Sequence, residues 1–64
     1  MVLTENQRSS VRWLLEVVGT SYSVSKATDE FVSSGYEPAE ARMLAQEYRK
    51  QADKVEKFIE SLEI

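Results

Sequence analysis

The stretch EPAEARMLAQEYRKQADKVEKFIESL, residues 37–62, decides the fold. Pro38 suits a first helical position, where its missing N–H would be an orphan donor anyway, and Glu37 and Glu40 complement the positive end of the helix dipole. No Gly or Pro follows before Ile64. At about 100° per residue, Ala41, Leu44, Ala45, Tyr48, Ala52, Val55, Ile59 and Leu62 project into an arc roughly 100° wide. Such a stripe demands cover. Arg49–Asp53 and Asp53–Lys57 are i, i+4 charge pairs on the opposite side that support the same helix. The pattern predicts a helix over about 38–62, a rod about 37 Å long at about 1.5 Å per residue.

Upstream, two glycines punctuate two shorter helical segments, and nothing alternates like a strand. Thr4 and Gln7 have capping-box spacing, Val11, Leu14, Leu15 and Val18 follow the i, i+3, i+4, i+7 pattern, Arg12 and Glu16 form an i, i+4 pair, and Gly19 ends the segment. That predicts a first helix over about 5–18. After the turn Gly19-Thr20-Ser21-Tyr22, Ser21 or Ser23 can cap a second helix over about 23–34, carrying Val24, Ala27 and Phe31 on one face and closed by Gly35. Its β-branched Val24, Thr28 and Val32 and its serines make it the weakest helix former of the three. The fold class that follows is all-α, one domain over 1–64: a three-helix bundle with two shorter helices packed on a long C-terminal helix. In heptad terms Ala41, Tyr48, Val55 and Leu62 recur every seven residues, but Gln51 interrupts the Leu44 and Phe58 positions. The wider stripe suits a bundle better than a two-stranded zipper, with the last turns able to overhang and pair with a second copy.

Composition narrows function chiefly by exclusion. The 64 residues include 8 Lys plus Arg against 11 Asp plus Glu, and no Cys or His. Disulfides, thiolate nucleophiles, imidazole bases and the usual zinc-ligand sets therefore drop out by inventory, and the serines have no His to activate them. No enzyme, metal or cofactor is expected. A formal net charge of -3 opposes phosphate-backbone binding. With no apolar run near 18 residues and no signal-peptide order in Met1–Ser10, the expected setting is the cytoplasm, away from a membrane.

Trp13 projects almost opposite Val11 and Leu15, with Val17 close to it, so more than half the circumference of the first helix is apolar. Either that helix is central and touches both others, or Trp13 and Val17 form an anchor for a protein partner. Met43 falls on the charged back of the long helix, and with Tyr36 and Pro38 it can make an adaptable contact surface at the corner between the last two helices. Phe58 joins Tyr36 and Met43 as a secondary contact. Arg42, Arg49 and Lys50 form the one basic cluster, read first as a solvated helix face. Ala27–Lys50 also fits a helix-turn-helix with Gly35 in the turn and Arg42, Gln46 and Arg49 toward bases, although Glu37, Glu40 and Glu47 share that recognition helix.

Residues 27–62 resemble the ubiquitin-associated domain family: Gly35-Tyr36 looks like the Gly-aromatic pair of its first loop, Ala41 with Leu44-Ala45 fits its second helix, and Ala52, Val55, Phe58 and Ile59 its third. The stretch from Gly35 to Ile59 is also similar to the overlapping, solenoid-like variant, with Val11–Phe31 as a preceding half-repeat. The resemblance implies a compact three-helix bundle that binds ubiquitin around Gly35-Tyr36 and Ile59–Leu62. The expectation taken forward is a non-enzymatic module that presents an apolar helical patch, drawn from Trp13, Val17, Tyr36, Met43, Phe58, Ile59 and Leu62, to another protein or to a second copy. The alternatives from other classes are a small helix-turn-helix-like nucleic-acid-binding regulator and a small inhibitory or accessory protein of a mobile element.

Overall fold

A computed structural model describes residues 3–62 and shows three helices: α1 over Glu5–Val18, α2 over Val24–Ser33 and α3 over Pro38–Leu62. Local chemistry sets each boundary. Thr4 Oγ1 accepts from the Gln7 N–H at 3.1 Å while Gln7 Oε1 accepts from the Thr4 N–H at 2.9 Å, a complete capping box. Ser23, rather than Ser21, caps α2, accepting from the Lys26 N–H at 3.3 Å. Ser21 instead donates to the Val18 carbonyl at 2.8 Å, closing the end of α1. At the far end of α2, the Gly35 N–H reaches the Val32 carbonyl at 3.0 Å and the Tyr36 N–H the Phe31 carbonyl at 3.1 Å. These are the two bonds of a Schellman motif, and Gly35 at φ 108° occupies the position that an L side chain disfavours. The hydrophobic contact of that motif is also present, with the Tyr36 ring edge-on to Phe31 at 6.1 Å between centroids.

The long helix is the spine. Val11 and Leu14 from α1 and Ala27 and Phe31 from α2 are buried against Ala41, Leu44, Ala45, Tyr48 and Ala52 of α3. Both short helices pack on α3, and α1 and α2 scarcely meet each other, so α1 is a flank and not the centre of the bundle. The small side chains Ala41, Ala45 and Ala52 let the helices approach closely, while Phe31 and Tyr48 fill the space between them. The predicted stripe on α3 is buried only as far as Ala52: every residue from 53 to 62 is exposed, Val55, Ile59 and Leu62 included. The reason is length. A 14-residue α1 and a 10-residue α2, folded back on α3, cover little more than half of its 25 residues. The overhang makes the molecule a rod, 41 × 22 × 17 Å.

The turn between α1 and α2 is held from α3 by two consecutive residues. Tyr48, fully buried, donates from its hydroxyl to the Gly19 carbonyl at 2.8 Å and accepts from the Tyr22 N–H at 3.2 Å. Arg49 donates through Nη1 to the carbonyls of Thr20 at 2.9 Å and Tyr22 at 2.6 Å. The polar groups that a tight turn leaves without helical partners are thereby satisfied by side chains. Tyr48→Phe keeps the ring but strands the Gly19 carbonyl and the Tyr22 N–H. We expect it to lower stability by about 1–3 kcal/mol. In a domain this small that is a fall of at least about 4 °C in the thermal midpoint followed by circular dichroism; an unchanged midpoint would show that the hydroxyl does not fasten the turn.

Candidate protein-binding surface

The apolar side chains left outside the core fall on two separate elements. On α1, Trp13 is 46% exposed and Val17 60%. They lie on the flank of α1 away from Val11 and Leu14, and Trp13 lines a shallow groove with Ser9, Ser10 and Ser34, at the end of the molecule where α2 stops. On the overhang of α3, Val55 is 43% exposed, Phe58 63%, Ile59 49% and Leu62 68%. Their positions continue the buried stripe: Val55, Ile59 and Leu62 extend the line of Tyr48 and Ala52, and Phe58 sits beside them on the α1 side, in the row of Gln51 and Glu47. A face that is core for its first half becomes open surface for its second. Exposed Val32 on α2 belongs to neither group.

The remaining candidates lie further in. Tyr36 is half-buried on Phe31, and its hydroxyl lies 2.7 Å from Ser10 Oγ, which ties the corner before α3 to α1. Met43 is also half-buried, packed against the core rather than standing on a charged back. Between α1 and α3 runs an open groove of about 530 Å³, floored by Leu3, Val11 and Leu15 and rimmed by Arg8, Arg12, Glu47 and Gln51. Gln51 marks where this groove meets the base of the overhang.

The electrostatics centre on Arg49. Its guanidinium pairs with Asp53 at 2.8 Å and with Glu56, in addition to the two turn carbonyls. The hydrogen bond to Asp53, reinforced by Glu56, raises its pKa above the ordinary arginine value and outweighs the opposing effect of burial, so the group stays cationic at any accessible pH. This revises the basic cluster, because its central member serves a structural clamp instead of a solvated face. Asp53 makes the expected pair with Arg49 and not the one with Lys57; among the described residues the salt bridges are those two of Arg49, and Arg12–Glu16 is not one. A Gln7 side chain that reaches Glu40 at 2.8 Å links the starts of α1 and α3. Sequence periodicity had no access to the clamp, since Arg49 meets Thr20 and Tyr22 across the fold.

Among the described residues no three Asp or Glu side chains converge to hold a metal ion, and no helix is long and apolar enough to cross a membrane. No family model, no curated protein and no solved structure matches the chain.

The placement of Trp13 has a direct optical consequence. In dilute solution its emission should be red-shifted and quenched readily by acrylamide, and Trp13→Ala should change stability by less than about 1 kcal/mol. Leu14→Ala, one position along and fully buried, should cost about 2–5 kcal/mol. A blue-shifted, protected indole would put Trp13 in the core.

Proposed function

We propose that the chain is a non-enzymatic protein-interaction module whose principal contact is the overhanging stripe Val55, Phe58, Ile59 and Leu62, with Trp13 and Val17 as a second, smaller contact. One observation carries this reading: a helix face that is core-like in its chemistry runs on past the end of the body with nothing over it. Apolar side chains in an i, i+3, i+4, i+7 row are the form in which a helix is recognised by a groove or by another helix, because one row buries as a unit. Charged and polar neighbours, Lys54 and Glu56 among them, frame the stripe as a polar rim frames an interface core.

A phosphate-backbone partner is less well served. The clamp spends the guanidinium of Arg49 on Asp53, Glu56 and two carbonyls, so the basic cluster has less charge to offer to nucleic acid. The ubiquitin version of the proposal shares the exposed Ile59 and Leu62 but also calls on Tyr36, whose ring and hydroxyl are engaged by Phe31 and Ser10. The stripe on α3 is therefore the better centre.

Photo-crosslinking tests the module directly. A benzophenone amino acid in place of Phe58, in the full chain expressed in its source cell, should yield discrete protein adducts on irradiation. The same probe in place of Lys50, on the outer side of α3, should not. Equal labelling from both positions, or none from Phe58, would remove the overhang as a binding surface.

A further inference from the structure

We propose that Arg49 couples the α1–α2 turn to the first turns of the overhang, so that order in one tightens the other. The coupling goes beyond the reading of the overhang as a contact surface and holds whatever occupies it. A guanidinium carries five N–H groups in a rigid planar fork, and here each has a partner. Nη1 donates to the turn, to the carbonyls of Thr20 at 2.9 Å and Tyr22 at 2.6 Å. Nε and Nη2 donate to Asp53 Oδ1 at 3.0 and 2.8 Å, and Nη2 also to Glu56. Among the described residues, no other side-chain hydrogen bond or ion pair joins the turn to the overhang.

Two features turn this bridge into a coupling. Residues 49, 53 and 56 are spaced i, i+4, i+7, and they share one side of α3 only while the segment between them is helical. Unwinding past Ala52 carries both carboxylates away from the fork. The fork is also stiff. With Asp53 and Glu56 on one edge, the guanidinium is already oriented when its other edge meets the carbonyls of Thr20 and Tyr22. With the acids withdrawn, those two bonds must also offset the entropy of holding a long side chain in one rotamer. Opening the turn weakens the acid side in the same way, since a coupling free energy is reciprocal. Tyr48 supplies the contrast, because its buried hydroxyl holds the Gly19 carbonyl and the Tyr22 N–H and bonds to nothing in the overhang. The turn thus has one constant fastener and one that senses the state of the overhang. The acid side chains, 61% exposed at Asp53 and 46% at Glu56, make the response graded. Exposed ion pairs are individually weak, so the opening equilibrium of the turn should shift by about two- to fivefold. A partner that holds the overhang helical and leaves Asp53 and Glu56 on Arg49 would tighten the link between α1 and α2; one that takes these carboxylates for itself would loosen it.

Amide hydrogen exchange of the full chain, followed residue by residue by NMR, reads the coupling. The reporters are the N–H groups of Ser21, bonded to the Val18 carbonyl at 3.3 Å, and Tyr22, bonded to the Tyr48 hydroxyl. Asp53→Asn with Glu56→Gln should speed their exchange by about two- to fivefold, and by more than it speeds that of Phe31 and Leu44 in the core. Two comparisons separate the clamp from general fraying. Lys54→Gln with Glu60→Gln alters the overhang without touching Arg49 and should leave Ser21 and Tyr22 unchanged. In an Arg49→Lys background, where a single ammonium replaces the fork, the Asp53 and Glu56 substitutions should no longer affect the turn. Equal acceleration by the Lys54 and Glu60 pair, or an undiminished effect in the Arg49→Lys background, would overturn the coupling. So would a turn indifferent to the loss of both acids. If Arg49→Lys fails to fold, the two overhang pairs compared in the native background still decide. Photo-crosslinking from Phe58 is independent of all these outcomes.

Discussion

A mismatch of helix lengths governs this molecule. Hydrophobic burial requires that the apolar face of α3 be covered, yet the chain before it provides only two short helices, which turn back at Gly19 and Gly35 and end where they must. Their cover stops at Ala52. A protein that needed nothing beyond its own stability could have ended α3 there or changed Val55, Phe58, Ile59 and Leu62 to polar residues at no cost to the core. Instead the apolar pattern stays in register past the end of its cover, where its side chains meet solvent.

The clamp at Tyr48 and Arg49 sets the place where core becomes overhang. By fastening the α1–α2 turn through the carbonyls of Gly19, Thr20 and Tyr22, these residues fix the end of the body about one helical turn before Ala52. Arg49 then reaches in the other direction, to Asp53 and Glu56 on the first turns of the overhang. One guanidinium thus joins the packed half of α3 to its uncovered half. A ten-residue helix alone in water is marginal, since nucleation is unfavourable and few bonds follow it. As an extension of a nucleated helix, each added residue fixes its own dihedrals and gains a hydrogen bond, and exposed ion pairs of a few tenths of a kcal/mol each suffice to tip the balance.

Much of the fold is legible in the residue order because it rests on local rules. Thr4 with Gln7, Ser23, Gly19, Gly35 and Pro38 act within a few residues of themselves, so caps and breaks follow from spacing alone. The buried face of α3 follows from periodicity for the same reason. Periodicity, however, states which residues share a face and not how far along that face a neighbour extends, which is why Val55, Ile59 and Leu62 carry a core pattern and stand in solvent. The misplaced residues share a different cause. Met43 and Arg49 appear polar-facing on a helical wheel, but the wheel treats a helix as isolated, whereas α1, α2 and their connecting turn wrap far enough around α3 to reach them. Trp13 was ambiguous for a related reason: whether an indole opposite the core stripe is covered depends on whether a second helix lies over it, and α2 gives its contacts to α3.

The two exposed apolar patches differ in place and in shape. Trp13 lines the groove at the end of the body where α2 stops, Val17 lies just before Gly19, whose carbonyl is held by Tyr48 at the other end of the body, and Phe58, Ile59 and Leu62 project beyond that end. The overhang is narrow and linear, suited to one helix laid along it; the Trp13 flank is a compact spot beside a shallow groove, suited to a side chain or a turn.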